Sequence, residues 1–535
     1  MKITLAQINP TVGDLGGNSR KIEQIIQDFS TKCDLIAFPE MCLTGYPPQD
    51  LLMDSEFITK ASDALQNIAV KVEKTPVILG TIRKDKDNLF NTAAVLQNGE
   101  VITFRDKTHL PTYDVFDEDR YFTSSNSRNP VELSMHGRPV KIGIEICEDL
   151  WDEDYETKVS QELFQGGATI IVNISASPFH VNRLNERLDI IEDKSKLLKC
   201  YFIYCNLVGA QDELVFDGQS CVVNNTGNLI AISPAFKEDT RVIDIENCEP
   251  VARPEASEDR QIFHALSLGV HDYFIKTGHI KAVLGLSGGI DSALTAIIAT
   301  DALGPENVLG ISMPSIYSSD HSIDDAKLLA RNLGIQFEII SIKEINQLML
   351  DNLSPVLNGS REGLAEENLQ ARIRGNILMV AANKKGALLL STGNKTETAL
   401  GYCTMYGDMA GALAVISDLN KSQVYSVSRW INENAGKAII PASSIDKPPS
   451  AELRPDQVDP FDYDVVSPLV DRLISGPHSI AALVDEGFSE ELISELREKV
   501  KISEYKRRQA PPGIRVSKKA FGVGRRYPIV NKYEV

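Results

Sequence analysis

Short apolar and β-branched runs punctuate the first half of the chain, at 2–8, 35–38, 77–79, 140–146, 169–174 and 201–206, with polar loops and amphipathic stretches between them. Runs of this length predict strands, several of them buried on both faces. After residue 280 the rhythm changes. A strand at 282–286 is followed by a helix at 293–302, a strand at 308–312, a helix at 322–333 and a strand at 336–341. That alternation predicts right-handed crossovers and a parallel sheet with helices on its faces. Between about 245 and 262 the chain turns polar and carries Pro250 and Pro254, as a connector does. The pattern therefore predicts two domains, 1–250 and 251–535.

With 535 residues, 43% of them hydrophobic and 24% charged, the chain can build two sizeable cores. A formal net charge of −19 opposes adhesion to nucleic acid or an anionic membrane. The exception is a basic tail with Lys506, Arg507, Arg508, Lys518, Lys519, Arg525 and Arg526. Gln7 and Asn9 interrupt the first apolar run too early for a signal-peptide core, and no run is long enough to span a bilayer. The 8 cysteines are scattered without a C-x-x-C pair, so a reducing cytoplasm is the expected location.

The most specific chemistry lies in Gly285, Leu286, Ser287, Gly288, Gly289, Ile290, Asp291 and Ser292. A strand that delivers a Gly-containing turn to a helix N-terminus presents unpaired N–H groups and a positive dipole end to an anion. Adjacent glycines allow close backbone approach, and the serines add hydroxyl donors. Asp291 is placed to hold a metal against the same phosphates. Neither the Walker pattern nor the dinucleotide G-x-G-x-x-G fingerprint is present.

The first half carries a nucleophile set. Glu40, Lys107 and Cys147 each follow a strand-like run, in the words Phe-Pro-Glu, Arg-Asp-Lys and Ile-Cys-Glu-Asp. A carboxylate that takes the thiol proton and an ammonium that favours the thiolate and steadies an oxyanion are what a cysteine nucleophile needs. Cys42 has no such company and reads as structural.

On these words the first half resembles the nitrilase, or carbon–nitrogen hydrolase, superfamily, and the 287–292 loop resembles the S-G-G-x-D-S loop of ATP pyrophosphatases. Together they resemble the glutamine-dependent NAD synthetases. The resemblance implies a nitrilase-like α-β-β-α sandwich followed by a Rossmann-like adenine nucleotide α-hydrolase domain. It implies glutamine, ATP and deamido-NAD as substrates, magnesium with the ATP, and a homo-oligomer of dimer or higher order. It places glutamine beside Tyr113, Glu118, Ser175 and Ser177. ATP falls to the 285–292 segment with Arg374, Thr392 and Lys421, and deamido-NAD to Asn368, Arg372, Glu397, Asp408 and Lys506. Asp291 and Glu397 would hold the metal. The stretch around Lys447 would cover the adenylate, and Asp418 reads equally as part of a phosphate-binding word or as a helix cap. Related synthetases often carry threonine near 440–446, where Ser443 and Ser444 both stand here. Ammonia is mostly ammonium at neutral pH, so a shielded passage between two sites is expected.

Rival readings are weaker. A GMP synthetase-like chain needs a Cys-His-Glu glutaminase, and an asparagine synthetase-like chain needs Cys at position 2, where Lys2 stands. The basic tail alone supports a tRNA-modifying enzyme, against the acidic charge and the nucleophile set.

Overall fold

The computed structural model describes residues 1–135, 138–359, 362–455, 457–476 and 478–533. They form two compact units, Met1–Ala256 and Ser257–Val535. The expected connector ends earlier than its polarity suggests, because Ser257 caps the helix Glu258–Lys276 by accepting the Arg260 N–H.

The first unit holds two six-stranded sheets. In one, Lys2–Gln7 pairs antiparallel with Asp239–Asp244 and parallel with Leu35–Ala37, and the order continues through Val77–Asp85, Asn88–Gln97 and Glu100–Asp106. In the other, Arg138–Ile146, Ile170–Ser175 and Tyr201–Asn206 run parallel at the centre. Period-two alternation decides which face each side chain enters. Ile3, Leu5, Ile144, Ile170, Val172 and Ile203 share the layer between the sheets. Their neighbours turn outward: Ala6 and Ile36 pack under Leu15–Phe29 and Ser55–Ala69, while Ile171 and Phe202 pack under Arg183–Leu198. Strands covered on both faces must be apolar throughout, which is why they read as continuous runs. Each fully buried Ile or Leu contributes roughly 1.5–3 kcal/mol. The result is an α-β-β-α sandwich.

The second unit has a five-stranded parallel sheet, in the order Gln336–Ile339, Val308–Ser312, Ala282–Gly285, Leu388–Ser391 and Leu413–Ala414. Strand order reverses on either side of Ala282–Gly285, and ligands of open α/β sheets bind in the crevice at such a point. A helical extension, Tyr463–Ser475, Ile480–Asp485 and Glu490–Ile502, closes its own core around Leu469, Leu483 and Leu496.

Candidate functional site

Strand ends position the first constellation. Glu40 lies just beyond Leu35–Ala37, Lys107 follows Glu100–Asp106, and Cys147 follows Arg138–Ile146. All three are buried, Glu40 and Lys107 almost completely. Lys107 Nζ donates to Glu40 Oε1 at 2.8 Å and to Glu118 Oε1 at 2.9 Å. Asn91 Nδ2 donates to Glu40 Oε1 at 2.7 Å and to Glu118 Oε2 at 3.3 Å. The Ala176 N–H reaches Glu40 Oε2 at 2.7 Å, and Tyr46 donates its hydroxyl to Glu118 at 2.8 Å.

Two carboxylates therefore share one ammonium. Burial works against the charge on Lys107, but Glu118 and Glu40 outweigh it and hold the ammonium well above its ordinary range. Burial raises the Glu118 carboxyl against the pull of Lys107. Cys147 begins a one-turn 3-10 segment, Cys147–Leu150, with φ at +44°, an uncommon backbone for a non-glycine residue. Burial, then Glu40, pushes its thiol up and Lys107 only partly offsets this. A thiol held up in this way favours its proton at neutral pH, so to act as a nucleophile it would need a base to take that proton.

Beside Cys147, Glu148 accepts from the Tyr113 hydroxyl at 3.0 and 3.1 Å and from the Tyr155 hydroxyl at 3.1 Å. Arg183, stacked 3.7 Å over Trp151, reaches Ser177 Oγ at 3.4 Å, and its charge acts on both Tyr113 and Glu148. Ser175 is fully buried and donates to Asn173 Oδ1 at 2.6 Å; Asn173 in turn donates to Glu145 at 3.1 Å. Sequence reading passed over Asn91, Glu148 and Arg183. Asn91 carried a signal, as a polar residue inside the run Leu-Phe-Asn-Thr-Ala-Ala-Val.

In the second unit a cavity of about 310 Å³ opens at the strand-order reversal. Gly285, Leu286, Ser287, Gly289, Ile290, Asp291, Ser292, Arg374, Thr392, Glu397, Asp408 and Lys421 line it. Gly288 lies behind that lining, with φ at +79°, and a Cβ there would stand 2.2 Å from the Ser322 carbonyl oxygen. The helix Ile290–Leu303 begins at Gly289 without a side-chain cap, which leaves its first N–H groups to an anion. Ser292 Oγ holds the loop by accepting from the Ser287 N–H and donating to the Gly289 carbonyl. Asn368, Arg372 and Lys506 are not among the lining residues. Asn368 accepts from Thr404 Oγ1 at 2.7 Å, Arg372 donates to the Met405 carbonyl, and Lys506 donates to the carbonyls of Gly401 and Cys403.

Burial lowers the Arg374 guanidinium to about 10, and its Nε donates to the Met313 carbonyl. Lys421 Nζ contacts Asp291 at 2.5 Å and Glu397 at 3.8 Å. Burial, then Asp291, pushes the Glu397 carboxyl up to about 8 against the pull of Lys421. Two crowded carboxylates facing this cavity suit magnesium, which takes one or two protein carboxylates and completes its shell with water and phosphate oxygens. Among the described residues no group of three or more His, Cys, Asp or Glu has the arrangement of a full protein cage.

Over the cavity, Lys447 donates to Ser322 Oγ at 3.1 Å, while Glu452 accepts from the same hydroxyl at 2.6 Å. Ser444 lines the cavity and donates to the Gly288 carbonyl at 3.0 Å, whereas Ser443 pairs with Asp325. Asp418 is not a helix cap: Asn420 caps the helix Lys421–Ala435, and Asp418 accepts from the N–H groups of Val516 and Ser517.

Comparison with known proteins matches both units. A family model described as carbon-nitrogen hydrolase matches residues 2–253, and one described as NAD synthase matches 262–510. A curated glutamine-dependent NAD(+) synthetase from a Synechocystis strain is 44% identical, over 99% of this chain and 99% of its own length. One from Thermotoga maritima is 40% identical, over 100% and 99%. The glutamine-dependent NAD+ synthetase of Acinetobacter baumannii, solved with ADP, superposes with a TM-score of 0.79 at 35% identity, covering 99% of this chain and 98% of its own.

Proposed function

Because the chain belongs to the glutamine-dependent NAD(+) synthetase family and makes NAD at the expense of glutamine, we propose that its two units divide that reaction at the atoms described above. In the first unit, Glu40 takes the Cys147 thiol proton as sulfur attacks the glutamine side-chain carbonyl, and Lys107 stands beside the oxyanion. Glu40 returns the proton to the departing nitrogen, ammonia leaves, and water cleaves the thioester to glutamate. Tyr113, Glu118, Ser175 and Ser177 make up the glutamine pocket, joined by Glu148 and Arg183, whose opposite charges suit the ends of a free amino acid.

In the second unit the nicotinate carboxylate of deamido-NAD attacks the α-phosphorus of ATP and forms an adenylate. Pyrophosphate departs into the 287–292 loop. Ammonia then adds to the acyl carbon and displaces AMP, which leaves the amide of NAD. Arg374, Thr392 and Lys421 serve ATP, while Asn368, Arg372, Glu397, Asp408 and Lys506 serve the dinucleotide, the three outside the cavity acting from behind its wall. Magnesium, held by Asp291 and Glu397, would neutralise phosphate charge. The same reading includes a homo-oligomer and a cytoplasmic location; no helix among the described residues is long and apolar enough to cross a membrane.

The observation that carries this reading is the convergence of Lys107 on Glu40 beside the strained turn of Cys147. The test is NAD formation from deamido-NAD, ATP and magnesium with either nitrogen donor. Cys147→Ala is expected to lose glutamine-supported turnover and keep ammonium-supported turnover. Retention of glutamine use by that variant would refute the assignment.

A further inference from the structure

We propose that Asp149 is a positioning residue of the amide-cleaving site, one carboxylate that holds the segment carrying Lys107 and the turn carrying Cys147 in a single register. Its Oδ1 accepts from the Thr108 N–H at 3.0 Å and the His109 N–H at 2.8 Å, the two residues after Lys107. Its Oδ2 accepts from the Ile146 N–H at 3.0 Å, the residue before Cys147. The side chain is almost completely buried.

Those two segments leave different sheets. Lys107 follows the edge strand Glu100–Asp106 of the first sheet, and Cys147 follows Arg138–Ile146 of the second. Ladder hydrogen bonds fix positions within a sheet, but the layer between the sheets is apolar side-chain packing. Packing is dense yet non-directional, and a displacement of about 1 Å between nucleophile and oxyanion partner is enough to cost on the order of 10²-fold in rate. Three directional bonds from backbone N–H groups to one buried carboxyl group add a constraint between these two segments that packing alone does not supply. They also brace the φ +44° conformation at Cys147 from its preceding residue. Consecutive residues thus take separate tasks: Cys147 attacks, Glu148 faces the tyrosines of the pocket, and Asp149 turns inward to the backbone.

The inference rests on the proposed roles of Lys107 and Cys147, and the experiment separates the two. The full chain is compared as wild type, Cys147→Ala, Asp149→Asn and Asp149→Glu, with glutamine or ammonium as donor, alongside the rate at which iodoacetamide alkylates Cys147. Asn keeps the volume but offers a donor to one of the three N–H groups. Glu keeps the charge on an arm one methylene too long. Both Asp149 variants are expected to lose on the order of 10²-fold in glutamine kcat. Their glutamine KM should stay within threefold, ammonium-supported turnover should be unchanged, and Cys147 alkylation should slow. Wild-type kcat in either variant overturns the proposal. So does an equal loss with both donors, which marks a merely structural residue. Glutamine use by Cys147→Ala overturns the underlying site instead.

Discussion

Lys421 and Asp291, which stand in the first turns of two different helices, form an ion pair at 2.5 Å inside the cavity wall. On the proposed reading Lys421 serves phosphate and Asp291 a cation, and in the ion pair each takes up the coordination the other's ligand would need. Removing the lysine should free the carboxylate. Lys421→Gln is expected to bind magnesium about tenfold more tightly in the absence of nucleotide, about 1.4 kcal/mol, while NAD formation with either donor falls. Calorimetric titration with magnesium checks this, and unchanged or weaker binding would show that the lysine is not a competitor.

Gly288→Ala adds a methyl group 2.2 Å from the Ser322 carbonyl oxygen in a left-handed backbone. The backbone alone costs about 1–2 kcal/mol, and the clash forces the loop off the helix N-terminus. NAD synthesis should fall at least tenfold with glutamine and ammonium alike, in contrast to a Cys147 variant. Steady-state rates with both donors separate the two patterns.

Asn91 donates one amide group to both Glu40 and Glu118. Asn91→Asp would replace that donor with a third carboxylate around a single buried ammonium. Glutamine-supported kcat should drop about 10²-fold, with a loss of about 2–4 kcal/mol in the first unit. Denaturant unfolding and glutamine-supported turnover report the two effects separately.

Much of this was legible from residue order. The continuous runs at 2–8, 140–146 and 169–174 emerge as strands because both of their faces are covered. The 287–292 word sits at a strand–helix junction, as its glycines require. The strand beginning at Val77 extends beyond the expected 77–79 run to Asp85, in a hairpin with Asn88–Gln97; Gly80 and Thr81 interrupt the apolar run that marks its start. Asp418 was misleading for a related reason. Its partners, Val516 and Ser517, are about a hundred positions away, and nothing local to the Asp-Leu-Asn-Lys word signals them.

That long-range tie has a measurable cost when removed. Asp418 is buried, accepts the Ser517 hydroxyl as well as two N–H groups, and stands 3.1 Å from Lys395 Nζ. Asp418→Ala should leave Lys395 with Asp471 as its carboxylate partner and destabilise the second unit by about 3–5 kcal/mol. Proteolysis should then cut first near residue 516; an unchanged cleavage pattern would count against the tie.

Asp149 brings a pH dependence of definite sign. Burial pushes its carboxyl from 3.8 up to about 7, so the folded protein holds the proton more tightly than the unfolded chain does. Its contribution to stability is full below about pH 4 and is lost as the pH rises through about 7. Relative to Asp149→Asn, which does not titrate, the wild type should lose up to about 4 kcal/mol across that window. Denaturant midpoints of both proteins at pH 5 and pH 8 test this, and parallel behaviour would contradict it.

The strand Lys2–Gln7 takes its antiparallel partner from Asp239–Asp244, and Ala414 in the second sheet donates to the carbonyl of Pro512. On a translating ribosome this imposes a schedule. The first unit cannot seal its sheet until some 240 residues have been made, and the second cannot anchor Asp418 until residues 516 and 517 emerge. At about 5–20 residues per second, the first unit spends on the order of tens of seconds with an open sheet edge, and the second on the order of ten seconds with an unanswered buried acid. The unit that matches the carbon-nitrogen hydrolase family is therefore finished first, and the unit that matches NAD synthase is completed last.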